Sequence, residues 1–111
     1  MPSQDIPLPY FEVLTPLGVY VRTTFSHWQK IITIKHPIMA GQEQQVQAAL
    51  AHPSEIRQSQ SDPAVNLYYK PDPPYFTCVV ARHLNGEGFI ITAPIKSKPE
   101  SLYGKPKNLL R

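Results

Sequence analysis

Seven polar residues of this chain, brought together, would make up the chemistry of a ribonuclease that needs no metal: His36, Arg57, Ser59, Tyr68, Tyr69, Lys70 and Thr92. RNA cut by its own 2′-OH requires a base to take that proton and an acid to protonate the leaving 5′-oxygen. It also requires cations and donors on a phosphate whose charge grows in the transition state. Histidine, with a reference pKa of about 6.5, can serve as either acid or base at neutral pH. Arginine grips phosphate with two parallel hydrogen bonds, and tyrosines stack on bases. Each residue also has a plainer use. His36 could cap a helix break, Arg57 could pair with Glu55, and Ser59 with Asp62 could be turn chemistry. Lys70 could be solvated before a turn, and Thr92 is a good strand former anyway. Tyr68 and Tyr69 point to opposite faces of a strand, so one of them is expected in the core.

Other chemistries are poorly supplied. His27, His36, His52 and His83 form neither an HxH nor an HxxxH pair, and no carboxylate cluster accompanies them, so no metal site is expected. There is no glycine-rich phosphate loop and no nucleophile elbow, and no cofactor is implied. The single cysteine, Cys78, excludes an internal disulfide, and its place beside Val79 and Val80 reads as a buried structural thiol.

The elements that must position these residues follow from the patterning. Phe11–Leu14 and Val19–Arg22 flank Thr15-Pro16-Leu17-Gly18 and predict a β-hairpin, ended by Thr23 and Thr24. Ser26 is the expected N-cap of a short helix in which Trp28, Ile31 and Ile32 form one apolar face, with Trp28 a core anchor. Pro37 pushes His36 out of the helical region, which places it at a break. A second helix is predicted over about 41–51, with Val46, Ala49 and Leu50 inward, stopped at His52-Pro53. Strands follow at 55–60, 65–70, 75–84 and 89–93, separated by Ser61-Asp62-Pro63, Pro71–Pro74 and Asn85–Gly88 turns. In the 75–84 strand Phe76, Cys78 and Val80 share one face, while Tyr75, Thr77, Val79 and Ala81 share the other. Both faces are largely apolar, so this strand is expected in the interior of its sheet. The predicted fold class is α+β: an N-terminal hairpin and one or two helices packed on a four-stranded antiparallel sheet.

Composition agrees with one small packed domain. At 111 residues, 41% hydrophobic and 17% charged, the chain has apolar material for one core and no room for a second. Thirteen prolines argue against a long helical bundle. No apolar run is long enough to cross a bilayer, and the N-terminus lacks a signal-peptide pattern, so a cytoplasmic location is expected. Residues 1–9, with Pro2, Pro7 and Pro9, read as an extended arm, and residues 10–95 as the domain. Residues 96–111 read as a loosely packed basic tail, which carries five of the eleven Lys/Arg against Glu100 alone. Such a tail attracts polyanions such as RNA.

The order of short motifs carries a resemblance. Trp28-Gln29-Lys30-Ile31, His36-Pro37, Pro53-Ser54-Glu55-Ile56-Arg57-Gln58-Ser59, Asp62-Pro63, Tyr68-Tyr69-Lys70 and Phe89-Ile90-Ile91-Thr92-Ala93 follow one another in sequence. Over residues 18–95 the chain resembles the small phage- and prophage-associated nucleases of the barnase–EndoU–colicin–RelE (BECR) type. That resemblance implies a helix-plus-sheet nuclease fold and metal-free RNA cleavage, in a toxin or effector with RNA as partner and an antitoxin or immunity protein to neutralise it. It assigns His36 as general acid or base, Arg57 and Ser59 to the scissile phosphate, Thr92 to the cleft, and Tyr69 and Lys70 to substrate binding. Ile38-Met39 follow His36-Pro37 where the family commonly has an acidic residue, so a charge partner for His36 is missing. The alternative is a non-catalytic RNA-binding or protein-interaction module on the same fold.

Overall fold

A computed structural model of the chain describes residues 9–35, 41–84, 86–97, 102 and 104–106. The chain begins with a hairpin of β1 (Phe11–Leu14) and β2 (Tyr20–Thr23). Its turn is closed by Thr15 N–H on the Val19 carbonyl at 3.0 Å and by Gly18 N–H on the Thr15 carbonyl at 2.9 Å. Gly18 takes φ +79°, a left-handed conformation that suits glycine.

Helix α1 (Phe25–Lys30) then starts at Thr24, not at the expected Ser26. The Thr24 hydroxyl accepts the His27 N–H at 3.1 Å, as an N-cap should. From Ile31 to Lys35 the helix widens into a π-helical turn. This coincides with the β-branched run Ile31-Ile32-Thr33-Ile34, whose side chains crowd a regular helix. Trp28 and Ile31 are both buried, and the Trp28 indole N–H donates to Glu43 of the next helix at 3.1 Å. Helix α2 (Glu43–Ala51) buries Val46, Ala49 and Leu50, the three residues its pattern predicts.

Five strands follow among the described residues: β3 (Glu55–Gln58), β4 (Val65–Asp72), β5 (Tyr75–Leu84), β6 (Glu87–Ser97) and β7 (Lys105–Pro106). The sheet runs in the order β1-β2-β6-β5-β4-β3-β7. The α+β class and the interior place of β5, between β4 and β6, agree with expectation. The expected four-stranded antiparallel sheet does not. The hairpin is no separate unit, because β2 pairs in parallel with β6, with Tyr20, Val21 and Arg22 opposite Glu87, Gly88 and Phe89. The sheet is therefore mixed and larger.

Gly88 permits that junction. A Cβ there would lie 2.7 Å from Val21 Cγ2 and 3.3 Å from the Tyr20 carbonyl oxygen. The presumed tail also contributes to the sheet: β6 extends to Ser97, and residues 105–106 pair with β3.

Both helices lie on one sheet face, over Val21, Ile56, Tyr68, Val79, Ala81 and Ile90. On the opposite face Leu67, Tyr69 and Cys78 form a second, smaller cluster with Phe76, Val80 and Leu102. Tyr68 and Tyr69 are thus both buried, one in each cluster. Among the described residues no helix is long and apolar enough to cross a membrane.

Candidate functional site

The residues expected to form a site are spread over the sheet. His36 lies outside the described residues. Arg57, Leu67, Val80 and Thr92 form one transverse row across β3, β4, β5 and β6. Arg57 and Thr92 therefore share a face, but three strand spacings separate them, roughly 14 Å.

Arg57 is already committed. Its Nε donates to Glu55, and its Nη1 donates to the carbonyls of Leu102 at 3.3 Å and Gly104 at 3.1 Å. Ser59 is in turn chemistry: its hydroxyl accepts the Ser61 N–H and shares a hydrogen bond with the Ser61 hydroxyl, both at 3.2 Å. Tyr69 is buried against Cys78 and Phe76, so its ring offers no stacking surface. Lys70 is on the opposite face, beside α2, where it donates to the His52 carbonyl at 3.2 Å and lines a small cleft with Gln45, Asp72 and Thr77. Thr92 is half-buried on β6.

Burial pushes the Cys78 thiol up to about 12, against a smaller opposing interaction with Tyr69, so it is no nucleophile at neutral pH. Burial likewise pushes the Tyr68 phenol up to about 12, and its hydroxyl shares a 2.8 Å hydrogen bond with His83 Nε2. Among the described residues no group of three or more His, Cys, Asp and Glu could hold a metal ion.

A different set of polar side chains does converge. At Thr23 the chain leaves the sheet for α1, while its parallel neighbour β6 continues to Ser97. The last pair of that parallel ladder is Arg22 opposite Phe89. A strand that ends beside a continuing parallel neighbour opens a crevice at its carboxyl end, a common place for ligands. Here the crevice encloses about 240 Å³ and is lined by Arg22, Thr23, Thr24, His27, Phe89 and Ile90.

The electrostatics of this crevice are specific. The Arg22 guanidinium carbon sits 4.6 Å from the Phe89 ring centroid, and the side chain is held by Glu87 and, at 3.7 Å, by Glu12. The Thr24 cap fixes the first turn of α1, and with it the backbone that carries His27. His27 Nε2 is buried and finds no hydrogen-bond partner among the described residues. A buried, unsatisfied nitrogen is costly, and a ligand that supplied its partner would recover that cost. The crevice is therefore lined by a histidine, an arginine, two threonines and an aromatic ring around a space of about 240 Å³.

None of these residues stood out in the sequence as a site. The available signal was the Thr23-Thr24 step from a strand straight into a histidine-bearing helix. That signal gains meaning only with a parallel strand beside it. Compared with protein-family models, curated proteins and solved structures, the chain shows no significant match to any.

Proposed function

We propose that the chain is a metal-independent endoribonuclease whose reaction centre is the crevice at the end of β2. The observation that carries this reading is the buried His27 Nε2, which finds no partner among the described residues, on a histidine that lines the crevice with Arg22, Thr23 and Thr24. In this scheme a scissile phosphate enters the crevice and Arg22 neutralises its growing charge. The substrate's 2′-OH gives up its proton as its oxygen bonds to phosphorus. The P–O5′ bond breaks, and the 5′-oxygen takes up a proton. The products are a 2′,3′-cyclic phosphate and a 5′-hydroxyl. His27 performs one of the two proton transfers, and water serves the other. The BECR resemblance supports a cytoplasmic toxin or effector with an antitoxin or immunity protein as partner.

The test uses purified protein with total RNA and with matched DNA, with and without chelator. RNA should be cut in EDTA to cyclic-phosphate ends, and DNA, lacking the 2′-OH, should resist. His27→Ala should slow cleavage about 100-fold, the usual worth of a positioned acid–base group. Loss of activity on chelation, or full activity in His27→Ala, would overturn the scheme.

A second reading, a non-catalytic protein-interaction module on the same fold, is favoured by a specific observation. Arg57, Tyr69 and Lys70 are all occupied by the protein itself, which leaves none of them for RNA. A folded wild-type protein that neither binds nor cuts RNA would favour that reading.

A further inference from the structure

The sheet face turned away from the helices has two halves. One half, around Leu67, Tyr69 and Cys78, is buried with Leu102 packed against it. The other half carries Leu14, Tyr20, Leu84 and Phe89, each about 40–50% exposed, which are four of the largest apolar side chains left in solvent. Strand register orders this second half into two rows. The first row, across β1, β2, β6 and β5, is Leu14, Tyr20, Glu87, Leu84. The second row, across the same four strands, is Glu12, Arg22, Phe89, Arg82.

Contiguous apolar exposure on a small protein marks an interaction surface. The charges indicate what kind. Two carboxylates and two guanidiniums alternate with the apolar groups, so a polyanion would meet as much repulsion as attraction. Of the four apolar groups, Leu14 and Leu84 give bases nothing to stack on, and the rings of Tyr20 and Phe89 lie in different rows. This half of the face suits a protein, and its two rows are complementary to themselves.

We infer that a second copy of the chain packs on this face, about a twofold axis that runs along the strands between β2 and β6. Such an axis reverses the strand order of the partner and keeps each row opposite itself. Leu14 then meets the partner's Leu84, and the Tyr20 hydroxyl meets the partner's Glu87 carboxylate. In the second row Glu12 meets the partner's Arg82, and Arg22 meets the partner's Phe89 ring. Apolar faces apolar, a donor faces an acceptor, and each charge faces its opposite or a π-face. Two sheets packed this way lie in the aligned class, about 10 Å apart. Eight side chains make a small interface, so the dimer is weak, with dissociation in the micromolar range.

This inference does not rest on RNA cleavage, and a dimer that covers Arg22 and Phe89 would compete with RNA for the crevice. Arg22 and Phe89 are shared with the crevice, so the test uses Glu12, Leu84 and Arg82, which do not line it. Sedimentation equilibrium from micromolar to millimolar concentration should show the wild-type chain moving from monomer to dimer. Leu84→Glu should weaken the dimer at least about tenfold, by placing a charge against the partner's Leu14. Glu12→Arg and Arg82→Glu should each be monomeric where the wild type is dimeric. An equimolar mixture of those two variants should associate again, because the twofold pairs each altered side chain with its new opposite. A wild-type chain that stays monomeric throughout, a dimer that survives Leu84→Glu, or a mixture that associates no better than either variant alone would overturn the inference.

Discussion

Two arginines on the same sheet face, Arg57 on β3 and Arg22 on β2, have been put to different uses. Arg57 is held by Glu55 and by the carbonyls of Leu102 and Gly104, so its cation fastens the returning chain to the sheet edge. Arg22 is braced by Glu12, Glu87 and the Phe89 ring, yet it borders a crevice shared with His27, whose Nε2 finds no partner among the described residues. Residue type alone made the two equivalent. The backbone around them separates them, since a carbonyl-lined edge occupies a guanidinium and the end of a parallel strand leaves one facing a crevice.

The comparison breaks most sharply at His27 and Arg57. His27→Ala should cut RNA cleavage about 100-fold. It should leave the melting temperature nearly unchanged, because the imidazole Nε2 holds no partner among the described residues and the Thr24 cap uses the backbone N–H. Arg57→Ala should do the reverse. It strands a half-buried carboxylate and two carbonyls, at a cost of about 2 kcal/mol, with hydrogen bonds to charged groups the main loss. That corresponds to a fall of roughly 8 °C in Tm for a domain of this size. Thermal melts and initial rates on the same two variants decide it. If Arg57→Ala melts normally but fails to cut RNA, the roles assigned to the two ends are exchanged.

Much of the fold was legible because it depends on local pattern. The two apolar faces of Phe76–Ala81 divide between the two clusters, and Val46, Ala49 and Leu50 face inward from α2. The parallel pairing of β2 with β6 was not legible. It joins segments such as Arg22 and Glu87, 65 residues apart, and no turn residue or periodicity announces such a contact. The crevice depends on that pairing, so its residues stayed hidden along with it. The burial of both Tyr68 and Tyr69 escaped for a related reason. Period-two alternation assigns a strand its two faces, but only the tertiary packing shows that both are covered.

Two glycines sharpen the contrast between the two ends. At the Arg57 end, Gly104 takes φ +94°, and a Cβ there would lie 2.8 Å from the Gln58 carbonyl oxygen. Gly104→Ala should cost about 1–2 kcal/mol through strain and displaced backbone. Since it loosens the same carbonyl that Arg57 holds, its effect should add to Arg57→Ala by less than the sum of the two. At the crevice end, Gly88→Ala would press on Val21 Cγ2 and the Tyr20 carbonyl and push β2 off β6. A comparable loss of stability is expected there, accompanied by loss of RNA cleavage, because the crevice is built on that junction. Denaturant titrations of the three single variants and the Arg57/Gly104 double variant test both points. Full additivity would separate Gly104 from Arg57.

The smallest effect concerns a third arginine on this face, Arg82, whose Nη2 lies 2.7 Å from Asp62 Oδ2. The Ala64 N–H, which Asp62 Oδ1 accepts at 3.0 Å, and then Arg82 hold the Asp62 carboxyl below its ordinary value. A carboxyl with a lowered folded-state pKa contributes stability above its unfolded-state value, about 3.9 for aspartate. That contribution is lost as pH falls through the lower folded-state value. Both side chains are more than a third exposed, and solvent screens the pair, so the contribution is small. An NMR titration should place the Asp62 midpoint below that of an unperturbed aspartate. Arg82→Ala should raise it only part of the way, because the Ala64 backbone N–H, the largest single cause, survives the substitution. A return to the ordinary midpoint in Arg82→Ala would make the ion pair the main cause, so that Asp62 would hold Arg82 as firmly as Glu55 holds Arg57. A partial return leaves the Ala64 N–H as a hold on the Asp62 carboxyl that does not depend on Arg82.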